Sequence, residues 1–232
     1  MNPPNASWRK LDSVVVDIEL TLNSIVQGVA LVVLTEKVPE VFSWAAFLYT
    51  IAALCVILTF WLRSIIDTLT LIKWPLDWGH NFLYIGCAMC EVILFRQLSH
   101  PLRWFQLSVA YSVLVWLLYI RNMRLIHARV AESNSDAERA LYTRARADQL
   151  LNIWLLVPLF FLFNVGCVVA IWIWWDLFVD QGGHIWMISW QLLSFMGYLT
   201  YVVWYFKRIA PLVLRSCQSE ETELTDTNGS IH

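Results

Sequence analysis

The segment DIELTLNSIVQGVALVVL, Asp17 to Leu34, is mostly apolar but sets Glu19, Asn23 and Gln27 at a strict spacing of four. At about 100° per helical residue these three side chains drift by only about 40° per step, so they form one narrow polar stripe, with Asp12 at its edge. Farther along, no Asp, Glu, Lys or Arg occurs from Val41 to Leu62, Trp104 to Ile120, Gln149 to Trp175 or His184 to Phe206. Each stretch is close to the roughly 17–25 residues that cross a hydrocarbon core. Two further stretches carry one acid each, Glu19 within Ile18 to Leu34 and Glu91 within Trp78 to Phe95. The pattern predicts six transmembrane helices, at 18–35, 42–62, 78–96, 104–121, 150–175 and 185–206, in one all-α domain over residues 1–210. No alternating strand pattern, phosphate-binding loop or second soluble domain interrupts them.

Composition agrees with an integral membrane protein. The chain is 59% hydrophobic and 15% charged, with 14 tryptophans, whereas soluble domains run roughly 45–50% apolar and 25% charged. With six spans, thirteen of the 16 basic residues fall on the side of the termini, and Lys37, Arg96 and Arg103 fall on the other. The positive-inside rule then predicts both termini in the cytoplasm, in a plasma membrane or bacterial inner membrane. The N-terminal MNPPNASWRK lacks an apolar signal region, so the first helix is expected to remain as an anchor. On this topology the glycosylation sequons at Asn5 and Asn228 face the cytoplasm and are expected to go unused.

The longest connection, 121–149, is cytoplasmic and contains Ser135, Asp136, Ala137 and Glu138, an S-x-x-E capping box that predicts a helix start. Nothing breaks that helix before Pro158, so the fifth span is predicted to project from the membrane as a continuous rod. Its arginines suit lipid headgroups or a cytoplasmic protein partner. The tail 211–232 is acidic and poor in aromatics, and is predicted to be disordered.

Candidate chemistry is sparse. Cys87 and Cys90 form a C-x-x-C inside the third span, but no second pair or histidine cluster completes a zinc site, and on a lipid-embedded helix they read as small apolar residues. Asp176, Asp180 and His184 recur at spacings of four near the outer end of the fifth span, where Gly182 and Gly183 interrupt the helix. The two aspartates are read as an acidic outer vestibule rather than a metal face. There is no triad order, zincin motif or nucleophile elbow. No catalytic residue, metal, cofactor or nucleic-acid partner is expected.

The polar stripe carries the functional question. An acid at membrane depth costs about 2.5–3.5 kcal/mol on insertion scales, so Glu19, Asn23 and Gln27 are expected to face protein or water. A second face of the same helix, Ser24, Gly28, Val32 and Thr35, is small or modest in size and allows close approach around an axis, as in a homo-oligomer. Glu91 is a second intramembrane acid with a role to find.

The segment Leu20 to Arg103 resembles the unconventional potassium channels of endosomes and lysosomes and their six-helix, single-repeat bacterial relatives. The likeness lies in SIVQGVALVVLTEKVP at Ser24 to Pro39, in FWLRS at Phe60 to Ser64, and in a third span entered at Asn81 and left at Pro101. Where that family carries an aromatic, a serine and an acid, this chain has Ile25, Val26 and Gln27. The resemblance implies a tetrameric pore lined by the first helices, potassium as the permeant ion, Val32 as the constriction and Thr35 as the next lining residue. Two other classes remain open: a non-conducting scaffold that docks a cytoplasmic partner, and an intramembrane transporter or enzyme in which Glu19 and Glu91 handle protons.

Overall fold

The computed structural model describes residues 6–38, 43–72, 77–133 and 135–229, with side chains over 14–38, 43–72, 77–131, 133 and 135–216. Pro39, Lys73 and the sequon residue Asn5 therefore lie outside the described residues, and the side chains of Asp12 and Asn228 do too. The protein is all-helical, with no strand among the described residues. The helices are α1 (Ala6–Lys37), α2 (Trp44–Leu71), α3 (Trp78–Phe95), α4 (Pro101–Glu132), α5 (Asp136–Leu151), α6 (Val157–Ile173) and α7 (His184–Gly229).

Local chemistry sets the helix starts. Ser43 caps α2 by accepting from the Ala46 amide at 3.1 Å, and Asp77 caps α3 by accepting from the His80 amide at 3.0 Å. Pro101 opens α4, where its missing N–H costs nothing. The Ser135 hydroxyl accepts from the Glu138 amide at 3.2 Å, as its capping-box position predicts. From there α5 and α6 form one rod through a single wide π-helical turn, Asn152–Leu156. That turn sits just before Pro158, whose ring would otherwise clash with the carbonyl four residues back. Gly182, at φ +77°, makes the left-handed bend between α6 and α7.

Five helical stretches are long and apolar enough to cross a membrane: Val14–Lys37, Trp44–Leu71, Trp78–Phe95, Pro101–Ala131 and Asp136–Ile173. The sixth predicted segment, 185–206, lies within α7, where Trp, Tyr and Gln make it less apolar on a hydropathy scale than its length suggests. The outer surface bears the mark of a lipid-facing belt. Trp154, Trp172 and Trp186 are each at least 75% exposed, and such a display of apolar surface is foreign to soluble monomers. In helix length and apolar composition the chain is built as a multi-pass membrane protein.

Four helices run longer than the hydropathy pattern predicts: α1 begins at Ala6 rather than at residue 18 and α4 continues past residue 121 to Glu132, and α2 and α7 also extend. α2 continues nine residues past Leu62 to Leu71, because Arg63 and Asp67 are buried rather than solvated and so do not end it. α7 runs through Pro211 to Gly229, where a disordered tail is predicted. Extending an already nucleated helix costs far less than starting one, and the Glu- and Gln-containing tail tolerates it.

α2 sits centrally, flanked by α1, α7 and α3, while α4 joins α3 to the α5–α6 rod. One apolar core, around Tyr49, Phe95, Trp104 and Phe105, fills the half of the bundle near the start of α2. A second, around Ile66, Leu71, Ile126 and Ile209, fills the other half. Between α3 and α4 the Asp77 carboxylate takes a bidentate grip from Arg121, the shortest contact being 2.7 Å. Burial pushes the Asp77 carboxyl up, but the Arg121 and His80 hydrogen bonds outweigh it and hold the group below the usual carboxylate range. Because the folded value is the lower one, this clasp stabilises the protein above about pH 4, the unfolded value, and is lost as pH falls through the folded value. Acid unfolding followed by circular dichroism should therefore begin at higher pH in Asp77→Asn than in the wild type. Coincident acid transitions would deny the clasp a role.

A buried polar core and cavity as the candidate functional site

The stripe on α1 turns inward. Glu19, Asn23 and Gln27 are all at most 5% exposed and face their own bundle. Asn23 Nδ2 donates to the Ser64 hydroxyl and, at 3.4 Å, to the Thr68 hydroxyl of α2. Gln27 Nε2 donates to Glu91 Oε2 of α3 at 3.3 Å. The Tyr111 hydroxyl of α4 donates to Glu91 Oε1 at 2.8 Å. Three helices thus converge on one buried carboxyl group. Glu19 does not join them: it lies two turns from Gln27, about 12 Å along the axis, so a Glu19–Glu91 proton-handling pair is not assembled. Gly28, Val32 and Thr35 lie on the uncovered side of α1. A side chain added at Gly28 would meet no other atom within 4 Å.

Deeper along α2 lies a second polar cluster. Arg63 is 4% exposed; its Nη2 donates to Asp148 Oδ2 of α5 at 2.8 Å, with Asp67 Oδ1 at 4.0 Å one turn away. The guanidinium lies 5.1 Å from the Tyr119 ring centroid and 5.6 Å from that of Tyr205. Asp148 also accepts from the Tyr201 hydroxyl. Asp67 Oδ2 accepts from Asn122 Nδ2 at 2.8 Å. The Asn122 carbonyl faces His80 Nδ1 at 2.8 Å, so that nitrogen carries the proton and donates. On the other side, the Tyr198 hydroxyl donates to Asn152 Oδ1 at 2.7 Å and meets Tyr119 at 2.6 Å. One continuous chain, His80, Asn122, Asp67, Arg63, Asp148 and Tyr201, therefore crosses the bundle from α3 to α7.

Nearer the start of α2, Gln191 of α7 accepts from the Trp104 indole at 2.8 Å and donates to Asn164 of α6 at 2.7 Å. Between this group and the Arg63 chain is a cavity of about 340 Å³. Its walls are mainly aromatic and aliphatic, and Thr59, Arg63, Ser64 and Asp67 supply its polar end. Isolated charges at such depth are expensive, and they persist where they are paired or used.

Elsewhere the candidates stay apart. Asp176 and Asp180 are exposed on the turn after α6, while His184 Nδ1 lies 3.3 Å from the Tyr49 hydroxyl. No group of metal-ligating side chains assembles among the described residues. Cys87 and Cys90 are buried free thiols.

The hydropathy pattern finds Glu19, Asn23, Gln27 and Glu91 but misses Arg63, Asp67, His80, Asn122 and Asp148. Arg63 lies one residue past the predicted end of the second span and Asp148 two before the start of the fifth, so both read as interfacial charges. The available signal was the i, i+4 spacing of Arg63 and Asp67 on an otherwise apolar helix. Comparison with protein-family models, curated proteins and solved structures finds no match for this chain.

Proposed function

We propose that the protein is a subunit of a membrane channel, a symmetric homo-oligomer in which the uncovered face of α1 lines a central path for a cation. The observation that carries this reading is the division of α1 into two faces. Its polar stripe turns inward, where Asn23 and Gln27 donate within the protomer to Ser64, Thr68 and Glu91, while Glu19 Oε1, Asn23 Oδ1 and Gln27 Oε1 are buried without a partner among the described residues. The face with Ser24, Gly28, Val32 and Thr35 is left open, with Val32 54% exposed. Small side chains there permit close approach of neighbouring α1 helices. An aliphatic ring at Val32 would close the path by expelling water, without any charge. The resemblance to endosomal and bacterial potassium channels supports a tetramer and potassium as the ion. The six-span topology with both termini inside rests on the basic-residue bias; a cysteine at Ser135 should label from the cytoplasm, one at Gly182 from outside, and labelling of both from one face would overturn it.

Flux into proteoliposomes tests the path. Val32→Asn should wet the constriction and raise potassium leak, whereas Val32→Phe should seal it. Val33, rotated by about 100° and packed half-buried on the apolar core, should not raise leak when changed to Asn. Equal leak from the two Asn variants, or none from either in a well-folded oligomer, would favour a scaffold that docks a cytoplasmic partner through the α4–α5 connection.

A further inference from the structure

The polar end of the cavity carries buried groups that can donate and have no acceptor. Arg63 Nε and Nη1 and the Thr59 hydroxyl are buried and have no hydrogen-bond partner among the described residues, and both residues line the cavity. A guanidinium cannot accept, so what meets Arg63 here presents oxygen lone pairs. The charge of Arg63 is already met by Asp148 at 2.8 Å, and Asp67 places a second carboxyl group at 4.0 Å. A head with its own negative charge would meet both acids, whereas a neutral carbonyl would satisfy the free donors without that repulsion.

The rest of the cavity is apolar, with Val56, Phe60, Phe160 and Phe195 on its walls. It also has a route to the bilayer. The α6 and α7 backbones scarcely approach each other, and they are bridged by side chains, Asn164 to Gln191 and Phe160 to Phe195. Leu159 and Ser194 line the cavity yet are exposed on the outer surface of this seam. Phe163 joins the cavity to a second, apolar groove along the same seam, floored by Gly166 and flanked by Trp186 and Trp190.

We infer that this cavity binds a single-chain lipid with a neutral, carbonyl-bearing head, which enters from the bilayer between α6 and α7, sets its carbonyl against Arg63 and Thr59, and lays its chain along the seam. Acylglycerols and isoprenoid quinones share this chemistry.

The test is thermal unfolding of the purified full chain in lipid nanodiscs, titrated separately with 1-oleoylglycerol, decylubiquinone, oleate and oleoyl lysophosphatidate. At least one of the two neutral probes should raise the midpoint saturably, and which one does so names the lipid class; the two anionic probes should bind more weakly. Thr59→Val, which keeps shape and removes one donor, should weaken the neutral probe about five- to tenfold. Ser194→Trp, on the exposed wall, should block the seam and abolish saturation without touching the Arg63 chain. Unliganded midpoints and helicity of both variants establish that they fold. No saturable shift with either neutral probe, an anionic probe binding as tightly as the neutral ones, or unchanged affinity in both folded variants would each overturn the assignment.

Discussion

Asp148→Leu should lower the unfolding free energy by about 3–5 kcal/mol, the usual cost of stripping one partner from a buried ion pair. The reasoning starts from burial. Arg63 and Asp148 are respectively 4% and 5% exposed, so a guanidinium without Asp148 cannot be rescued by bulk water. Asp67 offers a fallback, since it already lies 4.0 Å from the same nitrogen. Swinging toward Arg63 would strain its bond from Asn122 at 2.8 Å, which in turn holds His80. The fallback therefore sets the lower end of the range. The Tyr201 hydroxyl also loses its acceptor, which pushes toward the upper end. Arg63→Met combined with Asp148→Leu should recover much of the loss, because apolar residues of similar volume avoid the desolvation cost altogether. Recovery should be incomplete, since Asp67 then keeps Asn122 but loses its counter-charge. Chemical denaturation in mild detergent of the two single variants and the double variant closes the cycle. A double variant as unstable as the sum of its singles would show that the two side chains are energetically independent.

This cluster also shows where sequence reading stops. The apolar runs located each span because a bilayer imposes a length on anything that crosses it. The period of four in Glu19, Asn23 and Gln27 fixed which face of α1 turns inward, because a helix converts spacing directly into angle. Neither rule says which helices meet. Arg63 and Asp148 are 85 positions apart, and each alone resembles an ordinary charge at a membrane edge. Only the packing of α5 beside α2 and α7 turns them into a buried pair. His80, beside Asn81, and Asn122, between Arg121 and Arg124, likewise read as polar residues near a membrane edge, and Gln191 as a lone polar residue in an apolar run; their partners come from other helices. The α1 stripe was legible because its chemistry is local to one helix, and the cavity was not because five helices, α2, α3, α4, α6 and α7, contribute to its walls.

The same distinction governs the attachment of α1, where Glu91→Leu should prove far more damaging than Glu91→Gln. α1 packs against α2 and α3, and the Gln27–Glu91 bond is its polar tie to α3. Leucine at 91 strands two buried donors, Gln27 Nε2 and the Tyr111 hydroxyl, each at a cost of about 1–3 kcal/mol. Glutamine keeps an oxygen in place for Tyr111 and costs about 1 kcal/mol or less. Because Tyr111 is buried within the apolar core rather than at the α1 seam alone, its share of the penalty falls on global stability. Gln27, by contrast, can escape it by letting α1 peel away. The two losses are separable by experiment. Thermal unfolding reports the first. Maleimide labelling of a cysteine at Ala30, which is fully buried on the inner face of α1, reports the second. In a Glu91→Leu background the thiol should label several-fold faster than in the parent, while in Glu91→Gln it should remain protected. Protection in both, together with unchanged melting, would mean that apolar packing alone holds α1 to the bundle and that Glu91 serves no anchoring role.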